Sequence, residues 1–107
     1  MLKEQLIMVE TTVASEPVAR RIASVLVDKK LAACVHINAV ESHYKWKNTI
    51  KMDKEFCVRA TTTQARVVDC INEVRKEHPY ELPAIIVLPI VGSNKPYADW
   101  VAEYVKQ

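Results

Sequence analysis

The stretch of the chain with the densest chemically capable side chains is the seven-residue segment Glu77-His78-Pro79-Tyr80-Glu81-Leu82-Pro83. Two prolines fix the backbone around a histidine, a tyrosine and an acid, so these polar groups would be held in place. The same pattern also fits a rigid connection from a helix to a strand, with incidental polar side chains. Both interpretations stay open from the residues alone.

Histidine and cysteine side chains offer a second possible chemistry, because imidazole and thiolate suit copper, zinc or nickel. None of the three histidines has a local partner at ligand spacing, and the cysteines form neither a disulfide framework nor a Cys-x-x-Cys pair. Reduced thiols are simplest in the cytosol, so we expect a cytoplasmic protein. The candidate ligands are His36, His43, His78 and Cys34, and the other two cysteines are Cys57 and Cys70.

Familiar catalytic motifs are missing from the sequence. It contains no glycine-rich phosphate loop, no Gly-x-Ser-x-Gly and no His-Glu-x-x-His. These absences count against the common enzyme classes that use such motifs. We therefore expect a protein that is not an enzyme.

Length and composition favour one soluble domain spanning residues 1–107. Half of the residues are apolar and 26% are charged, as in ordinary globular proteins. The net charge is only +2, and basic and acidic residues are interleaved, which argues against nucleic-acid binding. No apolar stretch approaches the roughly 18–20 residues that span a bilayer, and the first residues do not resemble a signal peptide.

Hydrophobic periodicity predicts the elements that position these residues. Residues 5–13 read as a strand, and Ser15 is placed to cap a helix that runs to about Lys30. A second strand starts near Ala33, and its alternation changes phase near Ala39, which predicts a bulge. A turn at Lys47-Asn48 joins it to a long third strand.

The second half of the chain predicts three further elements. A second helix carries Val67, Val68, Ile71 and Val74 on one stripe and must end before Pro79. Residues 82–90 read as a fourth strand, apolar on both faces as a central strand would be, and Pro96 opens a last helix. The order predicts an α+β, ferredoxin-like β-α-β-β-α-β fold with an antiparallel sheet, a long central hairpin and an additional C-terminal helix.

The predicted hairpin is long for a domain of this size. Its distal part, with Tyr44, Trp46 and Lys47, would overhang the core of a single chain. Exposed aromatic residues on a projecting ribbon favour a subunit interface, although a lone surface tryptophan at a hairpin end would look the same in sequence.

Several strings in register closely resemble the CutA family of divalent-cation tolerance proteins. They cover nearly the whole chain, and four of them together are far more specific than any one alone. They are Leu31-Ala32-Ala33-Cys34-Val35, Ser42-x-Tyr44-x-Trp46, His78-Pro79-Tyr80-Glu81-x-Pro83, and Leu88-Pro89 with Tyr97-x-x-Trp100.

This resemblance implies a homotrimer in which neighbouring hairpins pair edge to edge, and an architecture similar to the PII signalling proteins. It also implies weak binding of a divalent metal ion, with copper as the first candidate. The positions implicated in copper binding correspond here to Thr11, Glu77 and His78, so we expect His78 and Glu77 as ligands. Thr11 replaces a cysteine, which should weaken a preference for Cu(I).

An inter-subunit cleft is also implied, lined by Tyr44, Trp46, Glu55, Tyr80 and Glu81. The family usually has glycine in place of Asn48 and lysine in place of Thr61, and loss of that lysine would remove a cation able to hold an anionic ligand. Two other functions remain open: a PII-like trimeric sensor that binds a small molecule in the cleft, and a module that trimerises or tethers another protein.

Overall fold

The computed structural model describes residues 5–106 of the chain. Four strands and three α-helices follow in the order β-α-β-β-α-β-α, and a short 3₁₀ turn at Gln64–Arg66 precedes the second helix. The order confirms the predicted ferredoxin-like fold with an added C-terminal helix. The elements are β1 (Leu6–Val13), α1 (Glu16–Asp28), β2 (Cys34–Trp46), β3 (Thr49–Thr63), α2 (Val67–Glu77), β4 (Ile85–Pro89) and α3 (Lys95–Val105).

Helix α1 begins as its sequence predicts. The Ser15 hydroxyl oxygen accepts a hydrogen bond from the Val18 amide at 3.3 Å, and Pro17 occupies the first turn, where its missing N–H is not needed. The helix ends two residues before the predicted boundary. Lys30 has φ of 59°, a left-handed conformation that turns the chain toward β2 and cannot continue a helix.

The sheet has the order β2-β3-β1-β4, and all of its neighbouring strands are antiparallel. The prediction of a central fourth strand is therefore wrong, because β4 is an edge strand and begins only at Ile85. Ile86, Val87 and Leu88 remain exposed there. An apolar edge strand of this kind is a ready surface for pairing with another chain.

The β2–β3 hairpin is continuous, and the predicted bulge near Ala39 is wrong. The register runs without interruption from Cys34 opposite Thr61 to Trp46 opposite Thr49. The turn prediction is confirmed, since Lys47 and Asn48 both have positive φ, at 49° and 68°.

The apparent change of phase in β2 has another cause. Val35 and Ile37 pack against the helices, whereas Val40 and Ser42, which point to the opposite face, are the half-buried residues further along. The strand keeps its alternation while the covered face of the sheet changes. A bulge and a change of covered face leave the same hydrophobic pattern in sequence.

Two groups of buried side chains hold the fold together. Helices α1 and α2 cover one face of the sheet, and Ile22, Leu26 and Val74 belong to the buried cluster between the helices and that face. Helix α3 adds a smaller cluster formed by Leu6, Ala33, Val101 and Val105.

The distal hairpin, which we call the hairpin arm (residues 40–55), has no such cover on the helix side of the sheet. Ile50 is 80% exposed and Met52 is 65% exposed. Apolar side chains on a projecting ribbon are typical of an interface with another subunit.

Candidate functional site

The segment between α2 and β4 is fastened to the end of β1 by His78. This residue is only 8% exposed. Its Nδ1 lies 3.2 Å from the Tyr80 amide nitrogen, and its Nε2 lies 2.9 Å from the Thr12 carbonyl oxygen. Because Nδ1 must accept from an N–H, the proton is on Nε2, which donates to Thr12. Both ring nitrogens of the neutral imidazole are therefore used.

The anchored segment directs Tyr80 toward the hairpin arm. The rings of His78 and Tyr80 meet edge to face, with centroids 4.7 Å apart. The Tyr80 hydroxyl donates a hydrogen bond of 2.5 Å to Oε2 of Glu55, which is 6% exposed. Burial, together with the hydrogen bond and negative charge of Glu55, raises the pKa of Tyr80 well above its ordinary value of 10.0.

A second tyrosine–carboxylate pair lies further out on the arm. The Tyr44 hydroxyl donates a short hydrogen bond to Oδ2 of Asp53. This bond is the main reason that the pKa of Tyr44 is raised above 10.0, with smaller contributions from desolvation and from the charges of Asp53 and Glu55. Tyr44, Asp53 and Glu55 all lie on the face of the hairpin turned away from α1 and α2, as the cross-strand register requires.

These groups enclose one side of an open cavity of about 650 Å³. All five residues predicted for the cleft line it: Tyr44, Trp46, Glu55, Tyr80 and Glu81. Sequence reasoning missed five other lining residues: Thr12, Ser42, His43, Leu82 and Ala84. Ser42 could have been found from the period of two that it shares with Tyr44 and Trp46, whereas Thr12 needed the fold.

The two predicted metal ligands are neighbours in sequence but are directed to different partners. Glu77 lies against α1, where its Oε1 is 3.1 Å from Nε of Arg21 and its carbonyl oxygen accepts a second bond from Arg21 at 3.1 Å. His78 turns inward to β1 and does not line the cavity. Within residues 5–106, no three His, Cys, Asp or Glu side chains are grouped as ligands for a metal ion.

The positions that depart from the family pattern lie apart from the cavity. Thr11 is buried on the helix side of β1, and its Oγ1 has no hydrogen-bond partner. Thr61 is buried in β3 between Met8 and Cys34 and is not among the cavity-lining residues. The expectation that Thr61 bears on an anion in a cleft between subunits stays a prediction.

The cysteines are free thiols in different surroundings. Cys70 is fully buried in α2, and burial raises its pKa to about 12. Cys34 is only half-buried, and its Sγ lies 3.7 Å from Nε2 of His36 on the open face of the sheet. No third ligand accompanies this pair among the described residues.

Comparison with known proteins gives one family. A family model described as CutA1 divalent ion tolerance protein matches residues 7–104. The divalent-cation tolerance protein CutA of Thermus thermophilus is 41% identical over 93 residues, which cover 86% of this chain and 90% of that protein. The human protein CutA is 40% identical over 86% of this chain, but this chain spans only 52% of its length.

Solved structures agree with the sequence relatives. A periplasmic divalent cation tolerance protein CutA from Archaeoglobus fulgidus superposes with a TM-score of 0.91 at 34% identity, covering 94% of this chain and 99% of that one. Across residues 5–106, no helix is both long enough and apolar enough to cross a membrane.

Proposed function

The chain belongs to the CutA1 family of divalent ion tolerance proteins, and we propose that it acts in divalent-cation tolerance as a cytoplasmic homotrimer that binds metal ions weakly and without catalysis. The resemblance found in the sequence is confirmed by the family match. Copper is the first candidate ion. Its ligands are the imidazole of His78 and the carboxylate of Glu77.

One observation carries the choice of site. Glu77 is the last residue of α2 and His78 caps it, so both lie where the helix presents its partial negative charge. A cation is favoured at that end of a helix. Imidazole nitrogen and carboxylate oxygen are also suitable ligands for Cu(II).

The surroundings of the two residues explain why binding is weak. A metal must displace Arg21 from the Glu77 carboxylate and the Tyr80 amide from Nδ1 of His78. Each displacement costs part of the binding free energy. Weak, exchangeable binding suits an ion that is a cargo and not a resident cofactor.

Homotrimer formation is supported by the apolar surface that this chain leaves uncovered. Ile50 and Met52 on the hairpin arm and Ile86 and Leu88 on β4 are exposed. A subunit interface would remove these side chains from water and gain roughly 25 cal/mol for each Å² buried. Light scattering should give three times the chain mass of 12.2 kDa.

The metal site is tested by calorimetric titration of the size-verified protein with Cu(II). We expect saturable binding of about one ion per chain that is lost in His78→Ala and kept in His43→Ala, a matched histidine on the hairpin arm. Arg21→Ala should strengthen binding, because it frees the Glu77 carboxylate. Binding that persists in His78→Ala, or no binding by the parent protein, would reject this site.

A second candidate function rests on the cavity. Its volume of about 650 Å³ is within the range of small-molecule pockets, and aromatic walls with a few fixed polar groups are typical of them. In this alternative the protein is a PII-like sensor that binds a small molecule. It predicts a rise in melting temperature with a metabolite and indifference to copper.

A further inference from the structure

We propose that the cavity binds a small organic cation, an amine or a guanidinium compound, between its aromatic side chains and its carboxylates. This proposal rests on the sensor function and specifies its ligand class. Tyr44, Trp46 and Tyr80 supply the aromatic surface, and Glu55 and Glu81 supply the negative charge.

The charge of the lining is one-sided. Two carboxylates contribute to the cavity wall, and none of its described lining residues is lysine or arginine. Asp53, held by the Tyr44 hydroxyl, adds a third carboxylate close by. Lys51 lies opposite Tyr44 on the same face of the hairpin but does not line the cavity. An anionic ligand such as a nucleotide would meet repulsion from these carboxylates, with no lysine or arginine in the cavity wall to offset it.

Glu55 is the strongest single indication of a cationic ligand. The residue is only 6% exposed, its Oε2 accepts from Tyr80, and its Oε1 makes no hydrogen bond to a described residue but keeps some contact with solvent. A carboxylate removed from water is costly unless its oxygens are paired. An ammonium or guanidinium N–H placed in the cavity would provide that pairing.

The aromatic residues suit the same ligand. The face of an aromatic ring attracts a cation within about 6 Å of its centroid, and tryptophan does so best. The Trp46 ring already makes one cation–π contact, since Nζ of Lys47 lies 5.8 Å from its centroid. Leu82 and Ala84 complete an apolar wall that could receive the carbon part of the ligand.

A bare metal ion fits this cavity less well. It needs several ligand atoms converging on one point, and no group of three such side chains is present in residues 5–106. An organic cation instead uses the carboxylates and the aromatic and apolar walls together.

The test uses three probes of one shape and different charge: benzylamine, benzyl alcohol and benzoate. The chain has two tryptophans, Trp46 in the cavity and Trp100 on α3, so the ¹⁵N NMR spectrum of the assembled protein should show two indole N–H signals. Benzylamine should shift the Trp46 signal and leave that of Trp100 in place. It should bind at least about tenfold more tightly than benzyl alcohol, and benzoate should not bind.

Variants locate the interaction. Glu55→Gln should weaken benzylamine binding about tenfold, whereas Glu103→Gln, the same charge change on α3, should have no effect. Trp46→Leu, followed by the backbone signals of Ser42 and Tyr44, gives an independent measure if Glu55→Gln is poorly folded. Copper binding at His78 should be unchanged in Glu55→Gln, so the metal and cation proposals can fail separately.

The possible outcomes distinguish a wrong ligand class from a cavity that binds none of the probes. Equal binding of benzylamine and benzyl alcohol would overturn the cation proposal and leave a sensor for neutral ligands. Preferential binding of benzoate would overturn the proposal, because it would mean that the cavity prefers an anion. No shift at Trp46 with benzylamine, as when a neighbouring subunit fills the cavity in the assembly, would also overturn the proposal.

Discussion

The two ends of the β2–β3 hairpin share one ladder but differ in what covers them. In the covered half, formed by residues 34–39 and 56–63, side chains such as Ile37 and Val58 pack beneath helices. In the hairpin arm, Met52 and Ile50 on that same face are exposed, and burial moves to Glu55 on the opposite face. The covered half is therefore a core that this chain completes alone, whereas the arm supplies a cavity wall and an uncovered apolar surface.

The largest expected effect tests whether the two halves contribute unequally to stability. Leu26→Ala removes a fully buried side chain of α1 and should lower the free energy of unfolding by about 2–5 kcal/mol. Met52→Ala on the arm should cost less than Leu26→Ala, because only a neighbouring subunit would cover this side chain. Urea unfolding at one protein concentration measures both, since association contributes to apparent stability. Similar losses would mean that another chain buries the arm as deeply as the helices bury the core.

His78 bears on the cavity next to the arm, because it ties the segment that carries Tyr80 to the end of β1. His78→Ala would leave the Thr12 carbonyl and the Tyr80 amide without their partner, and should cost about 1–3 kcal/mol. His43→Ala, an exposed histidine on the arm, should cost much less. Equal stability of the two variants in urea would show that His78 does not anchor the segment.

A substitution of Tyr80 tests how much the cavity wall contributes to stability. Tyr80→Phe removes a hydrogen bond to a buried carboxylate and should cost about 1–2 kcal/mol at neutral pH. Tyr44→Phe on the exposed outer arm is the matched control, and its effect should be smaller.

The raised pKa of Tyr80 also predicts a pH dependence. Folding favours the protonated phenol, so this contribution is fully present below pH 10.0, the ordinary pKa of tyrosine, and is lost as the pH rises above it. The parent protein should lose stability above about pH 10 more steeply than Tyr80→Phe. Because lysines titrate in the same range, the difference between the two proteins in alkaline unfolding curves is the quantity to measure. Parallel curves would contradict the assignment.

The smallest effect concerns the ion pair between the proposed metal ligand and α1. Arg21 is half exposed, so Arg21→Ala should change stability by less than about 1 kcal/mol. Unfolding in low and high salt should show that even this difference shrinks with screening. A larger loss would mean that the pair is structural, and that a metal could not readily displace Arg21 from Glu77.

Sequence alone determined the local features of this protein. Ser15 and Pro17 set the start of α1, and Asn48 with Lys47 set the hairpin turn, because caps and turns depend on residues within a few positions of one another. Strand and helix periods gave the order of elements, and hence the fold class. The resemblance to the family supplied the predicted cavity residues, which the hydrophobic pattern alone would not have grouped. They are Tyr44, Trp46, Glu55, Tyr80 and Glu81.

Only the tertiary structure decided which surfaces are covered and which polar groups are paired. The shift of the apolar pattern to Val40 and Ser42 led to the wrong prediction of a bulge. Alternation within one strand does not show which face of that strand another segment covers. The apolar run of β4 reads the same in a central strand and in an edge strand. His78 and Glu77 are adjacent in sequence, yet Thr12 and Arg21 draw them apart, across 66 and 56 positions. Such long-range partners are set by how the elements pack, which local residue patterns do not encode.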